Sequence, residues 1–242
     1  MHPRPEAGEL ASIYGEEYSH EYMTGIMQVK GLEEARFSRL QSLLLGHYPS
    51  VFGGARRVLD VGCGSGWLLS RLRDAGWQAT GVELSPSLGS HARRDRDLHV
   101  IVGDVMEIDF TQESFDLITI LEVIEHAIAP AALMKKCRGL LASGGAIVVE
   151  TPNFGGLGAR LLGRRWSQFK PPVHLNFLAV RSLEELASSA GLTVLIARSI
   201  RPVTVRRMAR WPGLLRMVGE RIYSLAPRLR LGGTAQMLAV KG

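Results

Sequence analysis

The 242 residues are 46% hydrophobic and 21% charged, values of an ordinary globular chain that exclude a disordered or fibrous protein. A spanning helix is excluded as well, because the most apolar run, Leu117 to Val123, is broken by Glu122 and falls far short of the roughly 18 apolar residues required. The net charge of +6 is localised: between Arg201 and Gly232 eight arginines face the single acid Glu220, and the rest of the chain is close to neutral.

Met1 to Leu10 lacks the apolar core of a secretory signal, and two cysteines, Cys63 and Cys137, make neither a disulfide framework nor a cysteine zinc site. Both observations predict a cytoplasmic chain with reduced thiols. Tyr14, Tyr18 and Tyr22 are spaced by four and share one face of a helix, where they would close over cofactor or substrate or pack on the domain. The apolar spacing of Leu32, Ala35, Phe37, Leu40, Leu43 and Leu44 predicts an amphipathic helix over 32–45, ended by Gly46 and Pro49. Residues 1–50 therefore read as a helical cover ahead of a main domain at 51–242.

From Arg57 onward short apolar runs alternate with helical patterns. Strands are predicted at 57–61, 79–83, 99–102, 115–120, 146–150, 192–197 and 235–240. Helices are predicted at 67–75, around 87–94, at 130–141 and at 181–190, the last opened by a Ser182–Glu185 capping box and closed by Gly191. Two stretches, 154–176 and 201–232, do not fit the alternation and are long enough to cover a pocket at the strand carboxyl ends.

Asp60-Val61-Gly62-Cys63-Gly64-Ser65-Gly66 joins the first strand to the first helix, and its glycines permit close main-chain approach to a ligand. A dinucleotide loop would place its third glycine where Trp67 stands, and a phosphate loop would need a G-K-S/T that is missing. Asp60 would repel a pyrophosphate but suits the charged amino group of a methionine moiety. Glu83, ending the second strand, offers two oxygens to a pair of ribose hydroxyls, with a solvated strand-exit acid as the plainer reading. Asp104 is placed to accept from an adenine amino group, or to cap a turn, and Val105 to offer its N–H to the ring.

That loop, with Glu83, Gly103-Asp104, Phe115-Asp116-Leu117-Ile118 and Gly144-Gly145, resembles the ordered signatures of the class I S-adenosylmethionine-dependent methyltransferases over about Val58 to Ala197. The resemblance implies a Rossmann-like α/β fold of seven strands in the order 3-2-1-4-5-7-6 with strand 7 antiparallel. It implies S-adenosyl-L-methionine as cofactor, held by Asp60, Gly62, Cys63, Gly64, Glu83, Asp104, Val105 and Leu121. The run Leu121-Glu122-Val123-Ile124-Glu125-His126 is similar to the post-strand motif of the quinone O-methyltransferase and secondary-metabolite subgroup.

In-line methyl transfer asks the protein chiefly to align the reactants and exclude water. A small-molecule acceptor with a phenolic, quinol or other hydroxyl would gain from a base, for which His126 and His174 are the candidates, each with a structural role as its alternative. Trp166 and Phe169, beside Arg164 and Arg165, suit an aromatic, anionic or lipophilic acceptor or serve as packing anchors. No metal is assigned, since the acids and histidines lack ligand spacing. Peripheral membrane contact is a candidate role for the basic, partly amphipathic segment 207–225. A nucleic-acid methyltransferase is the rival enzyme, disfavoured because no Asn-Pro-Pro-aromatic motif follows strand 4; a non-catalytic cofactor-binding scaffold is the rival from another class.

Overall fold

The computed structural model describes residues 32–201 and 225–242. Tyr14, Tyr18, Tyr22 and nearly all of 207–225 lie outside the described residues. The described elements are α1 (Leu32–His47), β1 (Arg57–Val61), α2 (Trp67–Asp74), β2 (Gln78–Glu83), α3 (Pro86–Arg96), β3 (His99–Val102) and β4 (Phe115–Leu121). After these come α4 (Pro130–Leu140), β5 (Leu141–Pro152), α5 (Leu157–Leu162), α6 (Val180–Ser189), β6 (Thr193–Ile200) and β7 (Thr234–Val240).

The seven strands form one sheet in the order β3-β2-β1-β4-β5-β7-β6. Its first five strands run parallel, and β7 runs antiparallel to both β5 and β6. Period-two alternation sends successive residues of each strand into different cores. Ile147 and Val149 of β5 join Leu59, Ile118 and Ile120 under α4 and α6, through Met134 and Leu183. Ala146 and Val148 join Val58 and Leu117 under α1 and α2, through Phe37, Leu40, Leu44 and Leu72. Helix α1 is therefore part of the same hydrophobic interior as the sheet.

Two local expectations change. Helix α6 begins at Val180 with Ala179 before it, so Ser182 is its third residue and its hydroxyl accepts the Ala179 N–H (3.3 Å). Glu185 instead pairs with Arg181 one turn earlier (2.9 Å), and no Ser182–Glu185 box forms. Gly191 does close this helix: at φ +77 it lets its own N–H reach the Ser188 carbonyl and that of Leu192 reach the Ala187 carbonyl. Strand β5 starts five residues early, at Leu141, which pairs with Phe115 ahead of a register shift whose extra residues lie on β5. No described helix is long and apolar enough to cross a membrane.

Candidate active site

The carboxyl ends of β1, β2, β3 and β4 open onto a cavity of about 620 Å³, a volume suited to a cofactor and a small partner. The glycine loop forms its floor. Gly62 and Cys63 both donate their N–H groups to the Val82 carbonyl (2.8 and 3.0 Å), folding the loop over the end of β2. Gly62 has φ +71, and a Cβ there would lie 2.4 Å from Val123 Cγ2, so only glycine fits between the two strand exits.

Glu83 is held from both sides. Its Oε2 accepts the Gly64 N–H and its Oε1 accepts the Ser85 N–H, each at 2.8 Å, and each oxygen keeps a lone pair. Burial raises its pKa against the N–H groups of Ser85, Gly64 and Leu84. Asp104 Oδ1 accepts the Met106 N–H (2.8 Å), and Asp104 and the buried Val105 line the cavity beside Glu83.

Asp60 and Cys63 lie instead in a recess of about 40 Å³ that shares Arg36, Gly62 and Leu121 with the main cavity. Asp60 is 3% exposed and accepts the Thr119 hydroxyl on Oδ1 (2.6 Å). Burial lifts its pKa to about 7 despite that bond. Burial also pushes the Cys63 thiol up, which keeps it protonated and unreactive.

The other end of the cavity contains both histidines. They meet with ring centroids 4.8 Å apart in a T-shaped arrangement. His126 Nδ1 lies 2.9 Å from the Val173 carbonyl, and His174 Nδ1 lies 2.8 Å from the Gln168 carbonyl. A carbonyl only accepts, so both Nδ1 atoms carry the proton and both neutral rings keep the Nε2 lone pair. Burial lowers the pKa of His126 to about 4 and lowers that of His174 as well.

Glu125, 2% exposed, uses Oε2 to accept the Thr151 hydroxyl (2.9 Å). Its Oε1 is buried without a hydrogen-bond partner, 3.8 Å from His126 Nε2. Burial and the nearby Glu122 hold its pKa well above the usual carboxylate range. One atom each from Glu125, His126 and His174 lies within 4.8 Å of the others, a spacing able to share a proton or to receive a cation. Ligand spacing in the sequence points to no metal here, and His174 joins Glu125 and His126 from a segment distant in the chain.

The 168–176 turn docks on the β4 exit through its backbone. Leu175 and Asn176 donate their N–H groups to the Glu125 carbonyl (2.8 and 2.9 Å), and the Asn176 amide donates to the Ala127 carbonyl (2.6 Å). Trp166 and Phe169 do not line the cavity. They pack with Phe154 and Phe177, at centroid distances of 5.8 Å for Phe154–Trp166 and 5.0 Å for Phe169–Phe177. Polar and neighbouring cavity residues given no role from the sequence include Arg36, Glu122, Gln168, Lys170 and Val173. Glu122 carries a visible trace in its residue type, an acid interrupting an apolar strand end; the others have none.

A sequence model of a family described as "Methyltransferase domain" matches residues 32–196. The chain belongs to this methyltransferase family. Its domain is that of an S-adenosylmethionine-dependent enzyme, and the acceptor-rich floor around Asp60 and Glu83 fits that cationic, phosphate-free cofactor. A ubiquinone biosynthesis O-methyltransferase of Alkalilimnicola ehrlichii is 31% identical over 181 residues, covering 64% of this chain and 71% of that one. One from Idiomarina loihiensis is 37% identical over 114 residues, which span 44% of this chain and less than half, 46%, of that relative. Among solved structures, a SAM-dependent methyltransferase from Archaeoglobus fulgidus shares the fold with a TM-score of 0.66 at 20% identity, covering 91% of this chain and 99% of its own.

Proposed function

We propose that this methyltransferase acts on a hydroxyl group of a small molecule, and that His174 takes the hydroxyl proton. The observation that carries the reading is the pair of histidines at one end of the cavity, each with Nδ1 tied to a carbonyl, so that the Nε2 lone pair of His174 can serve as a base. The chemistry S-adenosylmethionine supplies is an activated methyl group on a sulfonium. Glu83 takes the ribose hydroxyls on its remaining lone pairs, Asp104 and the Val105 N–H meet the adenine, and Asp60 pairs with the amino group. Gly62, Cys63, Gly64 and Leu121 form the surrounding wall, and Arg36, where recess and cavity join, takes the cofactor carboxylate. His174 is the better base, because burial pushes His126 down to about 4. His126 orients it through the ring contact. The names of the relatives, ubiquinone biosynthesis O-methyltransferases, agree with oxygen as the acceptor atom.

The acceptor is lipophilic and is met at an anionic membrane surface. No acid occurs between Thr151 and Leu183, while Arg160, Arg164 and Arg165 are exposed beside Leu161, which is 74% exposed. Leu229, 70% exposed, and Arg228 lie on the neighbouring segment, which the Leu157 N–H joins through the Leu231 carbonyl (2.9 Å). Incubation with methyl-labelled S-adenosylmethionine and matched phenol and amine acceptors tests the hydroxyl reading. Labelled ether is expected; transfer to the amines alone would refute it.

A further inference from the structure

Lys170 is a charged residue of the cavity wall that the roles above leave unused. It belongs to the turn that fixes both histidines: the Gln168 and Val173 carbonyls accept from the two Nδ1–H groups, and the Lys170 carbonyl accepts the His174 N–H (2.9 Å). Geometry that places the base therefore places this ammonium as well. Lys170 lines the cavity and is exposed, and no side-chain hydrogen bond or ion pair engages it among the described residues. Its charge nevertheless acts on His126, His174 and Glu122.

The charged and titratable groups around it are Glu122, Glu125 and His126 from the β4 exit, His174 from its own turn and Arg36 from α1. Arg36 acts on Asp60, Glu122 and Glu125, whereas the cation that acts on both histidines is Lys170. A neutral hydroxyl can donate to a histidine nitrogen but brings no counter-charge to Lys170 beyond the neighbouring Glu122. An oxyanion supplies one.

We propose that Lys170 stabilises the acceptor oxygen as it ionises and so selects oxygen acceptors. The acceptor O–H bond breaks, its proton goes to Nε2 of His174, and the electron pair stays on oxygen as a negative charge beside the ammonium. An amine acceptor gains positive charge as it is methylated, and the same ammonium opposes that change. The proposal rests on the hydroxyl reading of the site. An opposite charge within a few ångströms lowers an acid's pKa by about one to three units.

4-Nitrophenol, whose phenolate absorbs in the visible, reports this directly without turnover. With the protein saturated in S-adenosylhomocysteine, the bound probe is expected to ionise at a pH at least about one unit below that of the free probe. In Lys170→Met the ionisation constant of the bound probe falls about tenfold or more, and Lys170→Arg keeps most of the effect. Both variants should retain S-adenosylhomocysteine affinity and wild-type melting, since the side chain is exposed. A bound probe with the same pKa in K170M and wild type overturns the role of Lys170 and leaves the hydroxyl reading standing. Failure of the wild type to bind the probe overturns the phenol reading and this proposal together.

Discussion

Raising the pH from 6 to 7.5 is expected to tighten S-adenosylmethionine binding about eightfold, through Asp60. Its pKa of about 7 in the cofactor-free protein, caused by burial, leaves only about one molecule in eleven ionised at pH 6. An ammonium group beside the carboxylate favours the charged form and pulls that pKa down; two units is a middle value. Binding then expels about 0.8 proton at pH 6 and less as the pH approaches 7.5. Titration calorimetry at both pH values measures the affinity, and repeating it in buffers of different ionisation enthalpy counts the proton. Asp60→Asn should bind more weakly with most of the pH dependence gone. The same linkage acts on folding. A carboxyl whose folded pKa is raised contributes stability at low pH that is lost as pH rises from about 4 to 7, so D60N should stabilise the cofactor-free protein at pH 7.5, by up to about 4 kcal/mol. An affinity flat in pH, or a pH dependence that survives in D60N, would refute the pairing of Asp60 with the cofactor amino group.

Glu83→Ala should lose about 1 to 3 kcal/mol of cofactor binding by calorimetry, because it removes the proposed ribose acceptor; unchanged affinity in a folded variant excludes that role. His174→Ala should lower turnover by about 10² to 10⁴ with cofactor affinity intact, while equal rates where chemistry is limiting would remove His174 as the base. His126 is lowered to about 4 in the fold, so the unfolded chain binds its proton first as pH falls below about 6.5. By denaturant unfolding, the stability difference between wild type and His126→Phe should shift by about 3 kcal/mol against the wild type between pH 6.5 and 4, a contribution opposite in sign to that of Asp60; a difference independent of pH would contradict this. The basic face should sediment with anionic vesicles in a salt-sensitive manner, at about 1 kcal/mol per arginine, and Arg164→Gln with Arg165→Gln should weaken it. Equal sedimentation with neutral vesicles would exclude charge as the cause.

The parts of the fold that were legible are those whose cause is local. β1 and its loop follow from four apolar or short residues running into three glycines, and α2 follows from the spacing of Leu69 and Leu72. The early start of β5 was hidden because Ser143, Gly144 and Gly145 carry no strand signal. They are held by the pairing of Leu141 with Phe115 and by the Tyr48 hydroxyl, which donates to the Gly144 carbonyl (2.7 Å). The start of α6 was misplaced because Ser182 has two partners within reach, and the Ala179 N–H, not Glu185, is the one that its third-residue position brings near.

The site divides along the same line. Its cofactor end is assembled from residues at strand exits, where chain order alone places Gly62, Glu83 and Asp104 side by side. Its acceptor end depends on the 168–176 turn landing on the β4 exit, a tertiary event. Trp166 and Phe169 illustrate the consequence: aromatic rings next to arginines read as ligand contacts in one dimension, yet they pack on Phe154 and Phe177 and anchor the segment. Once that segment is anchored, the Gln168 and Val173 carbonyls define the tautomers of both histidines, and Lys170 arrives at the cavity with them. On the proposed reading, acceptor choice rests on a backbone-held turn of seven residues, 168–174. Phe169→Ala, which loosens the aromatic anchor, is expected to lower turnover through misplaced histidines while S-adenosylmethionine affinity measured by calorimetry stays unchanged; full turnover in that variant would refute the anchoring role.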